Sequence, residues 1–306
     1  MDTNILFLNG NNSTEFYNNE RNKYNGINAT SIFKSDSKFS KLIRRLILKY
    51  KLPGLSIFYD NWVKNINKYE LIIISVNPYS PNIAKYIRKK TNIRIIQWYW
   101  NPVITEIKPD KLRGSDCEIY SFDKEDCQKY GLNYIQTYYF SGIELPQNDI
   151  INDIYFVGAD KGRIHELLEL KKVFEQKDIV TKFHITKSSN SKNVKNYTYE
   201  YKISYSEVLA EISKSYAILD LVQPGQMGMS QRPMEAIFFS KKLVTNDIKI
   251  CKYDFYNRNN IFILGKDNID DLKRFLNSDY ISIDKNIIEN YDFGNWLNQI
   301  KDQMNV

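Results

Sequence analysis

The chain has 306 residues, of which 42% are hydrophobic, and this is enough for two domains of about 150 residues with a core each. No apolar run approaches the roughly 18 residues that cross a bilayer, and the N-terminus lacks the pattern of a signal peptide, so we expect a cytoplasmic protein. Three cysteines without a CxxC pair, and without histidines at ligand spacing, argue against a zinc site or a disulfide framework.

Positive charge is concentrated in the first half of the chain. The formal net charge is +7, with 21 Lys/Arg against 15 Asp/Glu in residues 1–150, and 22 against 21 in residues 151–306. This asymmetry suits contact with anionic lipid headgroups, acidic saccharides or nucleic acid, and a solvated basic surface explains it equally well. Asn-rich stretches at residues 10–28 and 189–197 are predicted to be loops.

The first half of the sequence predicts a Rossmann-like domain. Short apolar runs alternate with helical patterns, which is typical of a parallel sheet with crossover helices. The predicted strands are Ile5–Leu8, Leu55–Tyr59, Leu71–Val76, Ile93–Trp98, Glu118–Phe122 and Tyr134–Tyr139. The predicted helices are Phe39–Tyr50, Pro81–Lys90 and Lys124–Tyr130.

A polar stretch, Ser141–Asp153, interrupts this pattern, and a second alternating series follows. Its predicted strands are Ile154–Val157, Val180–Ile185, Ala217–Val222, Lys242–Thr245 and Asn260–Leu264, and its predicted helices are Arg163–Gln176, Ser206–Ser215, Pro233–Ser240 and Asn268–Leu276. We therefore predict an α/β protein with Rossmann-like domains at residues 1–145 and 146–285 and a helical segment at 286–306. Ligands are expected at the carboxyl ends of the strands.

Residues 217–246, AILDLVQPGQMGMSQRPMEAIFFSKKLVTN, are the most informative segment. A buried strand leads into a glycine-containing loop, and then into a helix that opens near Ser230 with Pro233 in its first turn. Gly225 and Gly228 would permit close approach of an anion to the free backbone N–H groups of the helix start. A plain strand–loop–helix unit with a capping serine is the alternative interpretation.

Two side chains of that helix extend the predicted donor site. Arg232 is placed to donate a forked pair of hydrogen bonds to a diphosphate, and Glu235, one turn further on, is placed to accept hydrogen bonds from a ribose diol.

These residues resemble the nucleotide-sugar-binding element of GT-B glycosyltransferases, which has a glycine-containing loop, a helix carrying Glu-Ala and a strand. More narrowly, GMSQRPMEAIFFSKKLVTND followed by YDFYNRNNIFIL is similar to bacterial capsular and lipopolysaccharide glycosyltransferases over about residues 153–300. The resemblance implies two Rossmann-like domains with a cleft between them and sugar transfer from a nucleotide sugar to a lipid-linked or surface saccharide. Many retaining members have two glutamates in this element, but Met227 occupies the first position here, so retention and inversion both stay open.

A second loop, Gly158-Ala-Asp-Lys-Gly-Arg163, lies between a predicted strand and a helix. In the resembled family the equivalent loop faces the donor phosphates, which implies that Lys161 and Arg163 neutralise the leaving diphosphate. The absence of GxxxxGK[ST] disfavours phosphoryl transfer from ATP, and a solvated turn is the alternative interpretation of the loop. Tyr205 occupies a place where the family contacts the base or ribose, and Ser206 is predicted to cap the same helix.

Transfer with inversion needs a general base near the acceptor hydroxyl. Asp60, after the predicted strand Leu55–Tyr59, is the first candidate, and Glu106 is the second. Trp98 and Trp100 could stack on the faces of an acceptor sugar, although alternating aromatic residues also fit a core. The resemblance implies that neither a metal ion nor a cofactor is needed.

The predicted helix at residues 39–51 is amphipathic and basic, which fits peripheral contact with anionic lipid on the inner membrane face. Core packing with a solvated cationic side is the alternative. A nucleic-acid-binding function is weakened by the lack of a zinc finger, an RRM signature or a further basic helix, so we expect no nucleic-acid partner. A two-domain binding protein without catalysis is the remaining alternative.

Overall fold

The structure is a computed structural model, and it describes residues 4–10, 15–35, 37–188, 190–191, 194, 197–222 and 228–302. Within these ranges the chain divides into two compact units. The first unit holds the residues up to Thr137 together with those from Trp296 onward, and the second runs from Tyr138 to Asn295 apart from Gly228, which groups with the first. The predicted domain boundaries were residues 145 and 285.

The first unit is a parallel α/β domain. Its strands are β1 Ile5–Asn9, β2 Ile27–Ser31, β3 Leu71–Ser75, β4 Arg94–Tyr99, β5 Glu118–Ser121 and β6 Asn133–Tyr134. Its helices are α1 Glu15–Arg21, α2 Lys38–Lys49, α3 Ser80–Arg88 and α4 Lys124–Tyr130. Short 3-10 helices among the described residues of this unit are Leu55–Phe58, Asn61–Lys64, Ile66–Lys68, Val103–Thr105, Pro109–Lys111 and Arg113–Ser115.

The sheet of the first unit has six parallel strands in the order β2-β1-β3-β4-β5-β6. The central strands β1 and β3 are apolar runs because crossover helices cover both of their faces. Leu6, Ile72 and Ile74 from these strands pack against Ile83 and Ile87 of α3 in the core. All strands therefore present their carboxyl ends at one edge.

Three sequence predictions for this unit are wrong in part. The Asn-rich stretch at residues 10–28 was predicted to be a loop, but it contains α1 and the start of β2. β2 lies at the edge of the sheet and buries only Ala29, so its sequence shows no apolar run. Leu55–Tyr59 is not a strand but forms a 3-10 helix after Gly54, which has a φ of 99°. Only Tyr134 of the predicted strand Tyr134–Tyr139 lies in β6.

The second unit is also a parallel α/β domain. Its strands are β7 Asn152–Ala159, β8 Thr181–Thr186, β9 Ser215–Asp220, β10 Lys242–Thr245 and β11 Ile261–Ile263. Its helices are α5 Ile164–Glu175, α6 Tyr205–Ser213, α7 Arg232–Phe238, α8 Leu272–Asn277 and α9 Lys285–Asn290, with 3-10 helices at Ile248–Lys252 and Ile269–Asp271. A final helix, α10 Phe293–Asp302, begins in this unit and ends in the first.

The sheet of the second unit has five parallel strands in the order β11-β10-β9-β7-β8. Its core is built from strand residues such as Ile154, Phe156 and Leu219, which pack against Ile164 and Leu167 of α5. The predicted fold class, two Rossmann-like α/β domains, is confirmed. The three cysteines are free thiols, and no helix among the described residues is long and apolar enough to cross a membrane.

Candidate functional site

The loop after β7 is anchored by a buried aspartate. Asp160 has no exposed surface, and its carboxylate accepts hydrogen bonds from Gly162 N (3.3 Å), Ser188 Oγ (2.9 Å), Tyr199 Oη (2.7 Å) and Ser191 Oγ. Burial by itself raises the pKa of Asp160, but the hydrogen bonds from these hydroxyls outweigh it and hold the pKa below its usual value. Asp160 is therefore an ionised anchor that ties two segments to this loop.

The anchored loop carries two cations. Lys161 and Gly162 both adopt left-handed backbone conformations, with φ of 49° and 86°, which lysine seldom does. Arg163 then turns back, where its Nε donates to Asp160 O at 3.2 Å and its Nη1 donates to Leu221 O. Because Leu221 follows β9, Arg163 joins the loops at the carboxyl ends of two adjacent strands.

Asp160→Asn is expected to destabilise the protein by about 3 kcal/mol at pH 7, because hydrogen bonds to a buried charge are each worth about 1.5–3 kcal/mol. A lowered folded-state pKa contributes stability above the usual value of 3.8 and loses it as the pH falls. Urea unfolding from pH 7 to pH 3 should therefore show a difference from wild type that shrinks below about pH 4. Asp149→Asn, at an exposed position, is the control; equal stability of wild type and Asp160→Asn would contradict the anchoring role.

Arg232 lies at the start of α7 and is held by the strand edge. Its Nη2 donates to Val157 O, its Nη1 lies 3.6 Å from Asp220 Oδ1, and its guanidinium carbon lies 5.4 Å from the centre of the Phe156 ring. Ser230 Oγ donates to Asp220 Oδ1 at 2.8 Å and accepts from Arg232 N at 3.3 Å. Burial raises the pKa of Asp220, while Arg232 and Ser230 oppose that rise.

The three cations of these loops act on one another. Burial lowers the pKa of Lys161 and of Arg163, and the charge of Arg232 lowers the pKa of both further. Arginines keep their charge under such conditions, so three cations stand together at this point of the strand edge, and the carboxylates of Asp160 and Asp220 offset part of their repulsion. An anion placed there would relieve the repulsion, which makes the loops after β7 and β9 a candidate site for a phosphate or diphosphate.

Gly158 in β7 leaves room for the guanidinium of Arg232. A Cβ at this position would lie 2.9 Å from Arg232 Nη2. We expect Gly158→Ala to displace Arg232, with a loss of about 1–3 kcal/mol in stability and about tenfold weaker binding of inorganic pyrophosphate. Urea unfolding and titration calorimetry measure both effects, and Gly142→Ala is the matched control because a Cβ there meets nothing within 4 Å. Unchanged pyrophosphate binding in Gly158→Ala would contradict the assignment of Arg232.

Glu235 of α7 is buried and belongs to a partly buried hydrogen-bond network. Its Oε1 accepts from Tyr205 Oη at 2.7 Å and from Gln231 Nε2 at 2.9 Å. The hydroxyl of Tyr205 also lies 2.5 Å from that of Tyr139 and accepts from Gln231 Nε2 at 3.1 Å. Burial raises the pKa of Glu235, and the charge of Arg232 opposes that rise. The structure thus brings together Tyr205 and Glu235, two of the residues predicted to bind the donor.

Other predictions for this region have different outcomes. Gly225 lies outside the described residues, and so does Met227. Gly228 is buried and groups with the first unit, and its role in donor binding stays a prediction. The cap of α6 is Ser204, not Ser206, because the Ser204 hydroxyl accepts from Glu207 N at 3.2 Å and completes a capping box.

Glu106 and Trp100 both follow β4 in the first unit. Glu106 is half-buried, and Asn101 Nδ2 donates to its Oε1 at 2.9 Å. Burial raises the pKa of Glu106, and the bond from Asn101 opposes that rise. Trp100 is partly exposed, with Arg21 over its ring at 5.7 Å. A general base needs a pKa near the working pH, and the raised pKa of Glu106 shifts its carboxyl in that direction.

Trp98 is not available to stack on a sugar. Its side chain has no exposed surface, and its ring packs against Phe7 at 6.2 Å and Trp296 at 5.0 Å between ring centres. The prediction that Trp98 binds an acceptor is therefore wrong. In a strand with both faces covered, alternating aromatic residues are core residues.

Asp60 does not follow a strand. Its carboxylate accepts from Asn61 N at 2.7 Å and caps the 3-10 helix Asn61–Lys64. Asp60 also lines a polar pocket of about 340 Å³ together with Asn18, Asn22 and Lys34. Its role as a base stays a prediction. That prediction placed Asp60 at the end of a strand, but a 3-10 helix precedes it instead.

Sequence reasoning missed several polar residues of the candidate site. Asp160 follows β7 and Asp220 ends β9, and a carboxylate at the end of a buried strand could have indicated a site residue. The side chains that contact them are not adjacent in the sequence, so their roles were not predicted. Gln231 lies inside the segment that resembles the donor-binding element but was given no role, and Tyr139 was predicted only as the end of a strand. In the part of the chain that the structure describes, no group of three or more His, Cys, Asp or Glu side chains could hold a metal ion.

No protein-family model and no curated protein matches the chain in sequence. Among solved structures, the DNA-modifying enzyme β-glucosyltransferase, determined with and without its substrate uridine diphosphoglucose, matches with a TM-score of 0.57 and 14% identity over 99% of both chains. The UDP-GlcNAc 2-epimerase of Methanocaldococcus jannaschii matches with a TM-score of 0.47 and 12% identity over 98% of this chain and 99% of that one. Of these two TM-scores, the first is above 0.5, and this likeness shows that the chain has the GT-B fold.

Proposed function

We propose that the protein is a glycosyltransferase that takes its sugar from a nucleotide-sugar donor. The observation that carries this proposal is the set of cations Lys161, Arg163 and Arg232 at the carboxyl ends of β7 and β9. A diphosphate carries negative charge that grows as its bond to the sugar breaks, so fixed cations lower the barrier. The GT-B fold supports this reading, and the site residues supply the chemistry.

The donor would bind with its diphosphate against the loop after β7. α5 is 12 residues long and begins at Ile164, directly after Arg163. The first N–H groups of a helix have no partner inside the helix and attract anions, so they add to the charge of Lys161. We propose that these groups do the neutralising and that catalysis needs neither a metal ion nor a cofactor.

Glu235 would bind the ribose of the donor. The hydrogen bonds from Tyr205 and Gln231 both fall on Oε1, so Oε2 is the atom that would accept from a ribose hydroxyl. Because Tyr205 and Gln231, both half-buried, hold Oε1 of Glu235, its carboxylate is oriented before a ligand binds. Gly158 and Ser230 would contribute indirectly, through the room left for Arg232 and the bond to Asp220.

The acceptor would be a saccharide, and we propose one of the lipid-linked or surface-polysaccharide kind, as in bacterial capsule and lipopolysaccharide synthesis. Glu106 would take the proton of the attacking hydroxyl, since burial raises the pKa of its carboxyl toward the range that suits a base. Trp100 would contact the sugar through the exposed part of its ring.

A thermal-shift screen tests the donor part of this proposal. The panel holds UDP, GDP, CDP, CMP, TDP and their sugars, with a chelator present, and UDP and UDP-glucose come first because of the substrate of the β-glucosyltransferase. A ligand at about 100 times its Kd stabilises the folded protein by roughly 2.7 kcal/mol. The expected result is a selective shift that Lys161→Gln/Arg163→Gln reduces, and no shift with any nucleotide would refute the proposal.

A further inference from the structure

The outward face of α2 is apolar. Phe39, Leu42 and Leu46 are 73%, 53% and 42% exposed, and their spacing of three and four residues places them on one stripe of the helix. A surface helix normally turns such a stripe toward the core. Here the stripe faces solvent, so these apolar side chains do not serve to build the core of the first unit.

The inward face of α2 is partly polar instead. Arg44 is buried, with its Nη1 donating to Ser35 O at 2.5 Å and to Ser40 Oγ at 2.9 Å, and its guanidinium lies 4.1 Å from the centre of the Phe33 ring. Ile47 packs against the core of the first unit. Arg44 and Ile47 thus hold the helix by its inward face, and Phe39, Leu42 and Leu46 lie on the stripe that is exposed.

The apolar surface extends beyond the helix. Leu52 N donates to Ile47 O at 2.9 Å, which keeps the following segment against the end of α2. Leu52 and Ile57 are 52% and 73% exposed. We call the exposed apolar residues of this region the α2 patch: Phe39, Leu42, Leu46, Leu52 and Ile57. Such a concentration of large exposed apolar side chains marks an interaction site.

Cations surround the α2 patch. Residues 37–59 contain Lys38, Lys41, Arg44, Arg45, Lys49 and Lys51 but no Asp or Glu. Apart from the buried Arg44, these residues are exposed or half-buried. A partner of this surface must therefore have an apolar region for the exposed side chains and a net negative charge for the cations around them.

We infer that the α2 patch docks on an anionic lipid bilayer. Apolar side chains of an interfacial helix enter the headgroup boundary by about 5–10 Å, and flanking lysines and arginines bind lipid phosphates. A second copy of the chain would bring the same cations face to face, which opposes pairing. A nucleic acid would neutralise the cations but would leave the apolar side chains in water.

The dimensions of α2 fit a helix that lies in the membrane surface. Its 12 residues span about 18 Å, which is too short to cross the roughly 30 Å of a hydrocarbon core. The patch is in the first unit, so docking goes beyond the donor site proposed for the second unit. Vesicle binding requires no nucleotide, and its outcome is independent of whether the donor proposal holds.

Vesicle co-sedimentation tests the inference with the full chain. Wild type should bind vesicles of phosphatidylcholine with about a third phosphatidylglycerol at least tenfold more than vesicles of phosphatidylcholine alone, and less at high salt. Phe39→Ser/Leu42→Ser/Leu46→Ser and Lys41→Gln/Arg45→Gln/Lys49→Gln should each lose that binding. Tyr216→Ser/Ile248→Ser/Ile281→Ser is the matched control, since these side chains are 50%, 59% and 43% exposed, and it should bind as wild type does.

Circular dichroism would show that each variant is folded, as expected for exposed positions. Three results would overturn the inference. One is equal binding by the wild type and the patch variant. The second is a wild-type protein that does not bind anionic vesicles but forms a dimer, when the patch variant is a monomer. The third is binding of duplex DNA, lost in both variants, without binding to vesicles.

Discussion

Arg232→Ala is expected to weaken binding of the nucleoside diphosphate by about 100-fold, because two charge-assisted hydrogen bonds to a diphosphate are together worth about 3 kcal/mol. The value of kcat/KM should fall by at least as much, since charge on the leaving diphosphate grows in the transition state. Titration calorimetry and steady-state kinetics measure the two effects. Unlike a surface cation, Arg232 also holds Val157 O and lies 3.6 Å from Asp220, so its loss should cost stability as well.

That stability cost needs its own control. Removal of the partner of a buried charge costs about 3–5 kcal/mol, and here the charge left behind is that of Asp220. Asp220→Asn added to Arg232→Ala replaces this charge with a neutral amide, so the double variant should regain much of the stability in urea unfolding. It should not regain affinity for the diphosphate. If Arg232→Ala bound the nucleotide as wild type does, or if the double variant recovered binding, Arg232 would have no role in donor recognition.

Glu106→Gln should lower kcat by about 10²–10⁴-fold and leave the affinity for the donor unchanged, because a general base acts on the acceptor hydroxyl. Burial raises the pKa of Glu106, so activity should rise as the pH increases through a value above the usual 4.5 of a glutamate, where the base loses its proton. This limb of the pH profile should be absent from the residual activity of Glu106→Gln.

Asp60→Asn is the matched comparison for Glu106→Gln. In the structure Asp60 caps a 3-10 helix, so the loss of its charge should reduce stability by about 1 kcal/mol and kcat by less than tenfold. A large loss of kcat in Asp60→Asn with normal turnover in Glu106→Gln would move the base to Asp60 and contradict the assignment made here.

The sequence was sufficient for the parallel strands that are buried on both faces. β3 is apolar except for its last residue, β4, β7 and β10 each have a short apolar centre, and all four were predicted within about two residues of their observed ends. The polar edge strand β2 was missed because a strand with one buried side chain has no run or alternation to detect.

The candidate site was only partly predictable. Lys161, Arg163, Arg232 and Glu235 were predicted to bind the donor because they stand in loop and helix-start motifs next to predicted strands, and that role stays a prediction. Asp160 was missed because its role depends on hydroxyls 28–39 residues away. Trp98 was predicted to bind the acceptor although it is a core residue, because the sequence does not show which aromatic side chains are buried.

The exposed face of α2 shows another limit of the sequence. Its helical periodicity was correct, and α2 begins and ends within about one residue of the prediction. Periodicity alone does not tell which stripe turns inward, and here Arg44 is buried while Phe39 is exposed. The buried guanidinium of Arg44 contacts the Ser35 carbonyl and the Phe33 ring, and these contacts could not be foreseen from the periodicity of the helix.

The most direct test of the donor site is titration calorimetry with a nucleoside, its monophosphate and its diphosphate, using the base that the thermal-shift screen selects. Wild type should gain about tenfold or more in affinity with the second phosphate, as expected for charge-assisted bonds to Lys161 and Arg163. Lys161→Gln/Arg163→Gln should lose that gain and keep its affinity for the nucleoside. An affinity that does not depend on the number of phosphates, or that is the same in the double variant, would contradict a diphosphate site at these loops.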